Sequence, residues 1–183
     1  MASTALVRPD RPHLLLATGG ATRSAGEERV AAIDIGSNSI REIIADVSGT
    51  GAIRVVDELK AAPRLGAGIE ETGKLSEVAM ENAIAALSRM ATLAKQLDAK
   101  RVEVVATSAV REAQNGKEFV RLVRERTGLK VRVLNGEDEA RLSFRSALAH
   151  FDLGTGRAVV MDIGGGSLEL ALSADGLVER FIS

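Results

Sequence analysis

Apolar residues change their period several times along this chain, and each change marks an element. Residues 31–35 form a short apolar run ending at Gly36, the pattern of a buried strand. Residues 40–47 read as a second strand, 48–51 as a turn and 53–59 as a third strand. Pro63, Gly66, Gly68 and Gly73 punctuate the next stretch, which predicts a loop over 63–73. A long helix follows: Ser76 can cap it, Glu77 suits the first turn, and Met80, Ile84, Leu87, Ala91, Ala94 and Leu97 recur at helical spacing. Strand 102–106, helix 117–126 closed by Gly128, strand 130–134 and helix 137–151 come next, the last with Phe144, Leu148 and Phe151 on one face. Strands 159–163, 168–172 and 177–182 end the chain, with a turn at Asp175-Gly176. Hairpin strands followed by alternating helices and strands predict an α/β fold, a mixed sheet flanked by helices.

The most informative feature is a repeat. Asp34-Ile35-Gly36-Ser37-Asn38-Ser39-Ile40 and Asp162-Ile163-Gly164-Gly165-Gly166-Ser167-Leu168 align without a gap, and each closes an apolar strand and opens another. Glycine in a tight turn lets backbone N–H groups approach an anion with no Cβ in the way. Ser and Asn side chains add neutral donors, whereas a carboxylate repels phosphate unless it holds a hydrated Mg²⁺ or a water against it. Two such bends facing one another would grip a phosphate chain from both sides. One copy alone reads as an ordinary hairpin turn; two aligned copies favour the phosphate reading. Neither G-x-x-x-x-G-K-[ST] nor G-x-G-x-x-G occurs.

Composition narrows the classes. A chain of 183 residues, 45% hydrophobic and 27% charged, is globular and has room for one ordinary domain rather than two complete ones. A net charge of −1 and 2% aromatic residues give no footprint for duplex nucleic acid. With no Cys, thiolate metal sites and cysteine nucleophiles are excluded, and His13 and His150 are too few for a histidine-rich site. No apolar run reaches membrane-spanning length, and residues 1–29 read as a disordered extension rather than a secretory signal, so a cytoplasmic location is expected.

The two bends resemble the phosphate loops of the actin-like ATPase superfamily. Arg64-Leu65-Gly66-Ala67-Gly68, the run 106–115 (Ala-Thr-Ser-Ala-Val-Arg-Glu-Ala-Gln-Asn), the run 135–142 (Asn-Gly-Glu-Asp-Glu-Ala-Arg-Leu) and the run 162–170 resemble the exopolyphosphatase / guanosine pentaphosphate phosphohydrolase family, in order and spacing. The resemblance implies an actin-like (ribonuclease H-like) fold, with a first domain over 30–156 and the opening strands of a second over 157–183. It implies Mg²⁺-assisted removal of the terminal phosphate of polyphosphate, or of the 5′-γ-phosphate of pppGpp. By motif position, Glu139 would orient and deprotonate the attacking water and Arg111 would contact the phosphate chain. Asp162 and Glu169 would hold the metal or its waters. Asp34, Gly36, Ser37, Asn38, Ser39, Gly164, Gly165, Gly166 and Ser167 would line the phosphate site.

Read without the family, Glu137, Asp138 and Glu139 equally complement a helix dipole, and Arg111 is equally an ion-pair partner of Glu112 or Glu118. Leu168 stands where the family usually has Thr, and Glu42 where an apolar residue is usual, which predicts an edge or solvent-facing position for it. The length predicts a fragment or truncated product whose last strands expose an apolar face, with weak activity if any. Two further readings are a phosphate-sensing module without turnover and a phosphotransferase of the sugar-kinase branch. A homodimer is left open.

Overall fold

A computed structural model describes residues 14–16, 26–151, 153 and 155–183. Its first sheet has six strands. Strands β2 (Glu28–Ile35), β3 (Ile40–Val47) and β4 (Ile53–Ala61) form an antiparallel meander, and β5 (Arg101–Ala106) and β6 (Val131–Val133) add parallel strands beyond β2. On the opposite edge β1 (Leu14–Leu16) runs parallel to β4, so the expected N-terminal extension carries one strand. Residues 1–13 and 17–25 lie outside the described residues, and with them His13 and most of the segment read as disordered.

Helix α2 (Glu77–Gln96) covers one face of this sheet, and its cap is the expected one: Ala79 N donates to the Ser76 hydroxyl at 3.2 Å. Its buried stripe includes Ala83, Leu87 and Met90 and packs into a core with Ile33, Ile35, Ile40, Val104 and Ala106. Helix α4 (Gly116–Thr127) adds Phe119 and Val123 to that core and ends at Gly128, whose φ of 76° is the left-handed conformation a helix stop asks for. Two short helices depart from the sequence expectations. Residues 63–73 contain α1 (Ile69–Thr72), and the motif after β5 winds into α3 (Ser108–Glu112). Neither shows amphipathic periodicity, because one turn is too short to display it. Among the described residues no helix is long and apolar enough to cross a membrane.

Helix α5 (Gly136–His150) leads to a second, antiparallel sheet of β7 (Arg157–Ile163), β8 (Leu168–Ala174) and β9 (Leu177–Ile182), and packs against all three strands. Phe144 is buried there, but Phe151 follows the last helical residue and is exposed rather than in line with it. The opposite face of this sheet leaves Val159, Met161, Ile163 and Leu168 exposed.

Strand β3 holds two buried acids with opposite fates. Asp46 accepts from Arg29 at 2.7 and 2.9 Å and from Arg54 at 2.7 Å, and Arg54 also reaches Glu27 at 3.2 Å. Glu42 is neither at an edge nor facing solvent. It sits in β3, between Ile33 of β2 and Leu59 of β4, on the face that carries Ile40 and Ile44. It is fully buried, and neither carboxyl oxygen has a hydrogen-bond partner. Burial, with Asp57 adding repulsion, pushes its carboxyl up to about 7. An acid that holds its proton more tightly when folded loses stability as pH rises from its ordinary 4.5 to about 7. Denaturant unfolding should therefore give a stability that falls over that window by up to roughly 3 kcal/mol. In Glu42→Leu the fall should become much smaller and the protein should be more stable than wild type at pH 8; a less stable variant at that pH would refute the assignment.

Candidate functional site

The sequence repeat is a structural repeat. Each bend joins the two strands of an antiparallel hairpin, β2–β3 and β7–β8, and each is closed by the same bond: Gly36 N donates to Ser39 O at 3.0 Å, and Gly164 N to Ser167 O at 3.0 Å. The two bends meet although they belong to different sheets. A Cβ at Gly165 would stand 2.5 Å from Asn38 Nδ2, and one at Gly166 would stand 3.0 Å from Ser37 Oγ. Glycine is therefore required on the second bend by close approach rather than by a positive φ. A third segment locks the first bend from behind: Gly66 N donates to Ser37 O at 2.8 Å and Arg64 N to Asn38 O at 3.2 Å. Ser37, Ser108, Gly66, Gly165 and Gly166 share a cavity of about 280 Å³.

Register separates the two copies. Asp34 lies opposite Arg41, but Asp162 lies opposite Glu169, so the second hairpin sets two acids side by side. Like charges at directly opposed strand positions repel. Glu169 is buried and accepts from the Ser183 hydroxyl at 3.5 Å, and the Ser143 hydroxyl of α5 donates to Asp162. Although its side reaches solvent, surrounding protein pushes the Asp34 carboxyl upward, and facing Asp162 adds to the rise.

Helix α5 supplies the remaining acid. The Asn135 side chain caps the helix by accepting from Asp138 N at 2.7 Å, which fixes the direction of the first turn. Of the three acids there, Glu137 pairs outward with Arg141 at 2.8 Å, while Glu139, its side chain 14% exposed, turns inward to Arg111 Nη1 at 2.8 Å. Tertiary structure thus distinguishes residues that helix-dipole reasoning left equivalent. Burial raises the Glu139 carboxyl above its ordinary range, the Arg111 hydrogen bond and charge pull it back, and Glu169 and Asp34 push it up again. Arg111 also donates to Leu134 O at 3.1 Å and to Glu112 at 2.9 Å. The expected Glu112 pair is therefore present, and Glu139 is the partner that sequence reasoning did not name.

Among the described residues no three His, Cys, Asp or Glu converge into a ready metal shell. Opposed carboxylates at Asp162 and Glu169, with Asp34 near Asp162, nevertheless suit a hard cation that keeps most of its waters and takes further oxygens from a phosphate, as Mg²⁺ does. Ser108, which shares the cavity with Ser37, was not among the expected site residues. Two sequence signals pointed toward it: it lies in the family-like run 106–115, and it follows the end of strand β5, where an α/β sheet usually presents ligands.

The strand order and flanking helices define an actin-like α/β protein. The sequence profile of the Ppx/GppA phosphatase family matches residues 43–183, beginning just after the first bend, and the chain belongs to that family. Exopolyphosphatase 1 of Mycobacterium leprae (strain TN) is 33% identical over 147 residues, 80% of this chain and 43% of that protein. The crystal structure of the Aquifex aeolicus member of the Ppx/GppA family superposes with a TM-score of 0.74 at 35% identity, covering 85% of this chain and 50% of that one. An exopolyphosphatase from Cytophaga hutchinsonii ATCC 33406 superposes with a TM-score of 0.80 at 27% identity, covering 85% and 49%. The chain spans less than half the length of the curated relatives it matches.

Because Arg111 holds the Glu139 proton affinity down, Arg111→Met should raise the carboxyl's titration midpoint, followed by carbon-13 NMR of the labelled side chain. A midpoint that stays put or falls would show that Arg111 does not hold it down.

Proposed function

We propose that this chain carries the water-activating half of a phosphoanhydride hydrolase. Its substrates are the terminal phosphate of polyphosphate, the 5′-γ-phosphate of pppGpp, or both. The observation that carries the reading is the meeting of two glycine bends, with Glu139 turned inward and under the electrostatic influence of both Asp34 and Glu169.

The chemistry asks mainly for positioning and charge neutralisation. Backbone N–H groups and the hydroxyls of Ser37 and Ser167 hold the terminal phosphoryl oxygens between the bends. Glu139 accepts a hydrogen bond from a water and turns its lone pair toward phosphorus. As the water oxygen bonds to phosphorus, the bridging P–O bond breaks, Glu139 takes the water's proton, and the shortened chain leaves as an anion. A carboxyl with a raised proton affinity is a better base for this step than an ordinary one, so long as it is ionised at working pH. Mg²⁺, held with its waters by Asp162 and Glu169, would neutralise charge on the phosphate chain. Arg111 keeps Glu139 ionised and oriented.

Binding without turnover is the second reading. It is favoured by the engagement of Arg111 with Glu139, Glu112 and Leu134 O, which leaves that cation on protein partners rather than aimed between the bends.

Phosphate release from polyphosphate and from pppGpp, each with Mg²⁺, tests the proposal. Glu139→Gln should lower the rate by about 10²–10⁴-fold, the usual worth of a positioned base. Wild-type activity should decline as pH falls through the raised Glu139 midpoint. Release unaffected by the substitution would remove Glu139 from the mechanism, and tight binding of pppGpp by a wild-type chain that releases no phosphate would establish the second reading.

A further inference from the structure

We propose that Ser108 is a second hydroxyl of the phosphate subsite, acting as a unit with Ser37; the inference rests on the phosphate-binding reading of the two bends. Ser37 and Ser108 come from opposite walls, the first bend and the start of α3, and are 5% and 3% exposed. Their oxygens are 2.9 Å apart.

Counting protons decides what such a pair can do. Each hydroxyl has one proton and two lone pairs. The bond between them uses one proton, and among the described residues the other has no acceptor. Both side chains line the cavity that Gly165 and Gly166 close from the second bend. A Cβ at Gly166 would lie 3.0 Å from Ser37 Oγ and 3.4 Å from Ser108 Oγ, so a bare glycine is what keeps space over the pair. A buried O–H with no acceptor is costly, and an anionic oxygen in that space would accept from it. Either serine can be the inner donor, so the spare proton can be presented from either oxygen as the phosphate chain shifts.

The rest of the lining explains why neutral donors matter. Glu70, Glu71 and Glu112 face the same cavity and repel a bare polyanion. Uncharged hydroxyls and backbone N–H groups, with a phosphate that arrives complexed to its cation, avoid that repulsion without adding an arginine that the acids would capture. Ser108 also shares α3 with Arg111, so one short helix joins the subsite to Glu139.

Calorimetric titration of the full chain with tripolyphosphate in Mg²⁺ tests this, with melting temperatures recorded for every variant. Ser108→Ala should bind about tenfold more weakly, the usual worth of a hydrogen bond to a charged group. Ser108→Thr should bind within about twofold of wild type, because it restores the hydroxyl. The double variant S37A/S108A should lose little more than either single variant, the mark of residues that act together. Ser108→Cys keeps the volume with a weak donor, so it reads the same loss if the alanine variant melts early. Full affinity in S108A and S108C, or losses that add in the double variant, would overturn the pair. A wild-type chain that does not bind tripolyphosphate would overturn the phosphate reading and this inference with it, whereas wild-type binding with intact S108A removes the inference alone.

Discussion

Two hairpin bends from different sheets approach until there is no space for a Cβ between them, and the site is built around that contact. The close approach of Gly165 to Asn38 and of Gly166 to Ser37 brings residues of both bends to one cavity. It also brings Asp34 within the electrostatic reach of Asp162, and both hairpins to the first turn of α5. Each bend is held in shape by its own N–H to carbonyl bond and the first is locked again by Gly66. The shape of the cavity is therefore set by backbone, which moves less readily than side chains. A side chain at Gly165 would force Asn38 to move, and one at Gly166 would crowd Ser37 and Ser108.

The site is rich in acid and poor in free cations. Arg111 is committed to Glu139, Glu112 and a carbonyl, while Asp34, Asp162, Glu139 and Glu169 gather nearby. Such a cluster is unfavourable by itself, and the strain is registered in the raised proton affinities of Asp34 and Glu139. Strand β3 shows the same physics away from the site. Asp46 is buried with two arginines, whereas Glu42 is buried with none and keeps its proton to near neutral pH. A buried carboxyl either finds cations or becomes neutral, and this fold uses both solutions within one strand.

Divergence within the repeat is as informative as the likeness. The bends share their closing hydrogen bond, but the residue opposite the aspartate is Arg41 in one and Glu169 in the other. Arg41 pairs away with Glu58 at 2.6 Å, so the first copy keeps its acid without a metal-like partner. The second copy has the paired carboxylates. The two hairpins thus share one design and differ in the charge set opposite the aspartate.

Much of this was legible from residue order. The limits of β3 and β9, the Ser76 cap, the Gly128 stop and the outward Glu137–Arg141 pair all follow from rules that act within a few residues. The repeat marked both bends, and the family motifs marked Glu139. Other facts depended on which elements come to lie together. Helix α5 falls between the two sheets in sequence, yet its packing is against β7, β8 and β9. Glu42 read as an exposed oddity until strands on both sides enclosed it. Ser108 lay inside a family-like run, but nothing in that run separated it from its neighbours until Ser37 stood 2.9 Å away. Local preference is written in neighbouring residues, whereas burial, proton affinity and the pairing of distant hydroxyls are properties of contacts that exist only after the chain has closed on itself.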